Sequence, residues 1–287
     1  MRDAFIDELA ILAETQPQIV LVVGDLGFNV VERFADRFPD RFVNAGVAEQ
    51  NMTGLAAGMA SEGYHVFTYS IANFPTFRCA EQIRNDVDHH RLPVTIVAVG
   101  GGVAYGALGY SHHAVQDYAL MRAMPNMTIA APGDPLETRA CLNWLVANPG
   151  PSYLRLGKSG EPQFHERTPR VTPGTWVRVR EGEESSVMLS TGGALGAALE
   201  RAGDRAVYSL PLWGMASKFL QPAQLARHRE VTTFEDHLPD AGFGSWLMES
   251  VSGTEAAARI LPVALSPLIC DEVGSQAALN RLGGLSL

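Results

Sequence analysis

Three short stretches of this chain set chemistry-bearing side chains in a common direction. In Val47-Ala48-Glu49-Gln50-Asn51-Met52 the spacing predicts a helix over 47–61, with Gly63 just past its end. Glu49 then shares a face with Met52, Ala56 and Ala60, so a carboxylate stands on an apolar face in the first turn. Attraction to the helix dipole would by itself account for a glutamate there; the other reading is a buried acid that serves a ligand. In Tyr69-Ser70-Ile71-Ala72-Asn73-Phe74-Pro75-Thr76-Phe77, Phe74 and Phe77 can turn their rings to one side, into the core or onto a ligand. In Gly109-Tyr110-Ser111-His112-His113, two adjacent histidines lie in a loop before a helix predicted over 115–124. Imidazole is suited to proton transfer near neutral pH, although a lone loop histidine is ordinarily a surface residue.

Positioning these groups falls to alternating strands and helices. Apolar, β-branched runs at 19–23, 64–69, 94–99, 127–130 and 152–156 read as buried strands. Helical patterns separate several of them, including 135–147. Such alternation gives a parallel sheet covered by helices on both faces. Phe74 and Phe77 follow a strand and so fall at the C-terminal edge, where open α/β sheets bind ligands. The pattern lapses from 157 to 173 and resumes with strands at 186–190, 206–210 and 231–234 and helices at 193–202 and 221–229. The fold class expected is therefore α/β with two doubly wound sheets: a domain over 1–160, a linker over 161–173 and a smaller domain over 174–287. Gly100-Gly101-Gly102 lacks the helix, glycine spacing and acidic residue of a dinucleotide fingerprint. Thr191-Gly192-Gly193 is a strand-to-helix turn, serving as a tight turn or as an anion site.

A net charge of -9 argues against a nucleic-acid surface. The longest apolar runs are strand-sized, too short for a bilayer, and Met1-Arg2-Asp3-Ala4 lacks a signal pattern. Cys79, Cys141 and Cys270 are odd in number and widely separated, which suits reduced thiols in a cytoplasmic protein.

With their neighbours these stretches resemble transketolases and 1-deoxyxylulose-phosphate synthases. Gly46-Val47-Ala48-Glu49-Gln50 is similar to that family's Gly-Ile-x-Glu-Gln signature, and Gly109-Tyr110-Ser111-His112-His113 to its Gly-Pro-Thr-His-Gln loop. Glu81-Gln82-Ile83-Arg84-Asn85-Asp86 and Ala131-Pro132-Gly133-Asp134-Pro135 extend the resemblance over roughly 1–160. It implies that Glu49 hydrogen-bonds the aminopyrimidine of thiamine diphosphate, with Asp25 as a further cofactor contact. Phe74 and Phe77 would enclose that ring, while a third family aromatic falls on Ala80 and leaves one side open. His112 takes the place of a catalytic histidine that meets substrate, His113 that of a substrate-contacting glutamine. Arg155 and Arg2 take the places of phosphate-binding arginines; a strand-end arginine also has ordinary structural uses. The protein would supply positioning and electrostatics, the cofactor the carbanion chemistry.

The resemblance fails at informative places. Leu108 stands where the family has an aspartate that reads sugar hydroxyls, Gly100 where it has a phosphate-binding histidine, and Phe28 where it has a serine. The substrate implied is an unusual sugar rather than an ordinary pentose phosphate. Gly24-Asp25-Leu26, Gly133-Asp134-Pro135 and Gly203-Asp204-Arg205 do not supply the family's Gly-Asp-Gly metal motif with its downstream asparagines. Mg²⁺ and the pyrophosphate would thus be held by a separate N-terminal subunit, with no metal site on this chain, and the resemblance implies an α2β2 heterotetramer. The beta subunit of a 2-oxo-acid dehydrogenase shares these features and is the alternative. A non-catalytic scaffold derived from the family is a third possibility. Asp236 and His237 follow a predicted strand and are in reach of a ligand there, but the second domain is assigned no chemistry.

Overall fold

The computed structural model describes residues 1–286, with the backbone alone at position 258. In chain order the strands are β1 (Ile19–Val23), β2 (Phe42–Asn44), β3 (His65–Ile71), β4 (Val94–Val99), β5 (Thr128–Ala130), β6 (Ser152–Leu156), β7 (Val177–Arg180), β8 (Glu183–Ser190), β9 (Arg205–Ser209), β10 (Leu212–Trp213), β11 (Glu230–Phe234) and β12 (Ile260–Val263). They form two sheets, β10-β5-β6-β4-β3-β1-β2 and β12-β11-β8-β9-β7. Every pairing is parallel except β10 on β5 and β7 on β9 at the edges.

The period-two geometry of β1 shows why its run of five apolar residues is a buried strand. Val20 and Val22 face Met52, Ala56 and Ala60 of the Glu49–Ser61 helix. Ile19, Leu21 and Val23 face the other way, toward Phe5, Ile6 and Leu9 of the Arg2–Thr15 helix. The second sheet is built alike: Val187 and Leu189 share one cluster with Phe243 and Leu247, and Met188 belongs to another with Leu195 and Ala198.

Two predicted helices are shorter than expected, and strands β2, β7, β10 and β12 were not foreseen. The helix predicted over 115–124 is only Asp117–Met121, because Ala114 is held extended by a bridge to Gly102 and the Val115 carbonyl accepts from Leu238. The helix predicted over 221–229 ends at Leu225; beyond it the His228 Nδ1 bonds the Glu184 carbonyl at 2.6 Å. Strand β10 was not legible in the sequence, since two residues carry no periodicity. It sets Leu212 opposite Ala130 and Trp213 opposite Ile129, so the second half of the chain closes the edge of the first sheet.

Between β6 and β7 there is no helix or strand among the described residues, yet the segment is pinned. The amides of Phe164 and His165 both donate to the Asp134 carboxylate at 2.9 Å, and the N-terminal ammonium meets Glu161 at 2.6 Å. No helix among the described residues is long and apolar enough to cross a membrane.

Candidate active site at the C-terminal edge of the first sheet

Three segments converge at the C-terminal ends of β1, β3 and β4. The Glu49–Ser61 helix begins there, and Glu49 is its first residue. The helix packs an apolar face on the sheet, so the Glu49 side chain is carried inward to 5% exposure. Gly24, immediately after β1, lets the backbone approach: a Cβ added there would lie 3.6–3.8 Å from Met52 Sδ, Ser70 Oγ and Glu49 Cγ. The Ser70 hydroxyl beside it is buried and without a hydrogen-bond partner among the described residues.

After β3 the chain turns through Ala72 and Asn73 into the short Phe74–Phe77 helix. The Asn73 side-chain amide donates to the carbonyls of His113, at 2.7 Å, and Ser111, at 3.3 Å, clamping the histidine loop against this turn. Phe74 is half-buried and meets the His112 ring in a T-shaped contact at a centroid distance of 5.2 Å. Phe77 is 47% exposed. Together with Arg78, Tyr110, Ser111 and Gln116 they line a crevice of about 470 Å³.

His112 ends a 3-10 turn, Tyr110–His112, with Nδ1 3.0 Å from the Ser111 hydroxyl. Partial burial holds its pKa below the ordinary 6.5, helped by the positive charge of Arg78 and by His113. The imidazole is therefore neutral at pH 7, able to accept a proton.

Glu49 does not itself reach the crevice wall; the residue between is Arg78. Its Nη1 donates to Glu49 Oε1 at 3.1 Å, and its guanidinium carbon lies 4.1 Å from the centroid of the Phe74 ring. Nothing in the sequence singled out Arg78, since an arginine one residue beyond an aromatic pair carries no spacing signal. Glu49 Oε2 makes no hydrogen bond to protein among the described residues. Phe74 thus offers an aromatic face and Glu49 a carboxyl group behind Arg78, the two kinds of contact that an aminopyrimidine would use.

Other residues singled out in the sequence lie elsewhere. Asp25 follows β1 with a left-handed φ of 56° and exchanges hydrogen bonds with Asn44: its amide donates to Oδ1 at 3.2 Å and its carboxylate accepts from Nδ2 at 3.0 Å. Asp25 belongs to the same sheet edge, held to β2 rather than lining the crevice. His113 is a correction: its ring is fully buried, with Nε2 3.5 Å from the Gly106 carbonyl, because the clamp on its own carbonyl turns the side chain inward. Neither His113 nor His112 is among the residues that line the crevice, although Ser111 beside them is.

Arg155 is the larger correction. The side chain is 2% exposed and all five N–H groups are engaged. Nε donates to Asp117 at 2.7 Å; Nη1 to Asp236 at 2.6 Å and the Tyr118 hydroxyl at 3.2 Å; Nη2 to the carbonyls of Ala114 and Asp236. No donor remains for a phosphate, because the second sheet docks over this strand end and brings Asp236 with it. Asp236 is thereby consumed, and buried His237 stacks on Tyr118 and donates Nδ1–H to the Leu238 carbonyl at 2.7 Å. Arg2 lies near Tyr69 and Tyr105, away from the crevice.

The positions where the resemblance fails have physical consequences. Gly100 has φ 92°, and a Cβ there would run into the Tyr105 ring, which fills the space of the missing side chain. Leu108 is 58% exposed and Phe28 67%, so both present apolar surface. Among the described residues no group of three or more histidine, cysteine or acidic side chains is placed to hold a metal.

A two-sheet α/β chain with a crevice at the C-terminal edge of a parallel sheet has its cavity where open α/β sheets place ligand sites. Residues 1–162 match the family model "Transketolase, pyrimidine binding domain". The chain is 32% identical over 278 residues to a putative transketolase C-terminal section of Methanocaldococcus jannaschii, covering 93% of this chain and 86% of that one. It is 40% identical over 166 residues to one subunit of the apulose-4-phosphate transketolase of Phocaeicola vulgatus, covering 58% of this chain and 53% of that one. A solved structure described as a split gene transketolase, inactive beta4 tetramer, superposes with a TM-score of 0.84 at 31% identity, covering 99% of this chain and 93% of that one. The chain belongs to the transketolase family.

Proposed function

We propose that this chain provides the pyrimidine half of a thiamine-diphosphate site in a two-subunit transketolase that moves a two-carbon ketol unit from a ketose donor to an aldehyde acceptor. The observation that carries the reading is Glu49, buried in a helix's first turn and joined through Arg78 to the Phe74 ring, which in turn meets the His112 ring. Glu49 would hold the pyrimidine nitrogen, Phe74 and Phe77 its faces, and Asp25 the adjacent sheet edge. When bound, the cofactor supplies carbanion chemistry. With the Ser111 hydroxyl on Nδ1, His112 has Nε2 to exchange a proton with a substrate oxygen.

The pyrophosphate and Mg²⁺ belong, on this reading, to a separate N-terminal subunit, since this sequence does not supply the family's Gly-Asp-Gly motif with its downstream asparagines. A relative named as one subunit of a transketolase and another described as a split gene transketolase support that division. We take the assembly to be α2β2, in the cytoplasm, with residues 1–160 and 174–287 as two domains. These relatives also favour ketol transfer over oxidative decarboxylation of a 2-oxo acid. Tyr105 over Gly100 and exposed, apolar Leu108 and Phe28 support a substrate other than ordinary pentose phosphates; the apulose phosphate in one relative's name is an example of such a sugar.

The test is reconstitution with the N-terminal subunit and assay of Glu49→Ala. Loss of turnover by at least about 100-fold, with assembly intact by size-exclusion chromatography, is expected from losing a group that acts in proton transfer. Retained turnover would refute the assignment. Efficient use of xylulose 5-phosphate with ribose 5-phosphate would refute the atypical sugar alone.

A further inference from the structure

Arg78 makes, from within the protein, the two contacts that a bound flat ring would make. Its guanidinium is planar, lies 4.1 Å from the centroid of the Phe74 ring and donates an N–H to Glu49 Oε1 at 3.1 Å. A stacked heteroaromatic that bonds the same carboxyl group would need the same aromatic face and the same oxygens. Arg78 lines the crevice and Glu49 does not, so the guanidinium stands between the acid and any incoming molecule. The side chain is itself 51% exposed, so it has an open path to swing outward without disturbing the core.

We propose that Arg78 is a built-in occupant of the ring seat, which a cofactor ring displaces on binding. The proposal rests on the reading that Glu49 and Phe74 form that seat. The physical logic is economical. A carboxyl group buried to this extent is costly when left without a partner, and Arg78 satisfies it in the chain without cofactor. Arginine suits the task better than lysine, because only a planar cation both stacks and donates. When the ring takes the seat, Glu49 exchanges a full cation for a ring nitrogen with which it can share a proton. The chain alone is then held in a closed form, and its apparent affinity is reduced by the fraction of molecules in which Arg78 has already swung away.

The experiment titrates the full-length chain with thiamine diphosphate and Mg²⁺ by calorimetry, for the wild type, Arg78→Ala, Arg78→Lys and Glu49→Ala. Arg78→Ala should tighten binding by about fivefold, or make it measurable where the wild type shows none. Arg78→Lys, which keeps the charge and loses the stacking plane, should fall between. Binding by Arg78→Ala that is unchanged, weaker or absent overturns the proposal. If Arg78→Ala has no effect while Glu49→Ala abolishes binding, the seat is right and the occupant is wrong. If binding is indifferent to both, or absent throughout, the occupant fails here, and the seat stands or falls on the Glu49→Ala assay of the reconstituted enzyme.

Discussion

Glu49 and His112 differ in how their surroundings prepare them. Glu49 is enclosed by a helix packed on a sheet; His112 sits in a turn fastened by one asparagine amide. The imidazole, held below its ordinary pKa by partial burial and by Arg78, keeps its neutral form to lower pH than a free histidine. His112→Ala should lower kcat of the reconstituted enzyme by about 100- to 10,000-fold, the usual worth of a positioned acid–base group. Thiamine diphosphate affinity should change little, since the ring contacts come from other residues. The wild-type rate should fall on an acid limb below pH 6.5, and that limb should vanish in the variant; a limb that survives would exonerate His112. Its place in a loop was legible along the chain, and its proposed role came from the family resemblance. The inward turn of His113 was not, because it depends on Asn73, forty residues away.

Among elements, the helix Phe243–Ser250 shows how a sequence feature becomes an energetic one. Glu235, after β11, accepts from the amides of Phe243 at 2.5 Å and Gly244 at 2.9 Å, so it caps the helix from another segment. Burial outweighs these bonds and pushes its pKa from 4.5 up to about 8. Asp236, His237, Arg155 and Tyr118 are charged or titratable groups around it. A carboxyl group with a raised folded-state pKa binds its proton in the folded chain when the unfolded chain has already lost it. Its contribution is thus fully present below the unfolded pKa of about 4.5 and is lost as pH rises to about 8, at up to about 1.4 kcal/mol per pH unit. Glu137, buried beside Asp134 and raised to about 7, adds in the same direction. Urea midpoints between pH 5 and pH 8 should fall with rising pH in the wild type and fall distinctly less in Glu235→Gln. An identical slope in the variant would show that Glu235 is not the titrating group.

At the scale of the whole molecule, Arg155 joins the two sheets. It extends from β6 to Asp117 on one side and to Asp236, beyond β11, on the other. Arg155→Ala leaves two buried carboxylates without a cation and should cost about 3–5 kcal/mol of unfolding free energy by chemical denaturation. Arg155→Lys should also be costly, because one ammonium cannot serve all the acceptors that the guanidinium fork reaches. A variant of normal stability whose only defect is a raised KM for phosphorylated sugars would restore the phosphate-binding reading. The same docking of sheets that buries Arg155 brings β10 to the edge strand β5, so the halves of the chain are tied at two separate places.

Local periodicity encodes most of the parallel strands, though not β2 or β12, together with the helix that carries Glu49 inward, the aromatic pair after β3 and the histidine loop. Each depends on residues within a turn or two of one another, and side-chain direction follows from strand or helix geometry alone. What depends on segments meeting from a distance emerged with the fold. Arg155 faces a second sheet instead of solvent, Tyr105 fills the space above Gly100, His113 turns into the core, and Arg78 lies across Phe74 onto Glu49. Whether a polar side chain is a free ligand group or a spent one is settled by which partners the fold delivers to it, and no spacing along the chain records that.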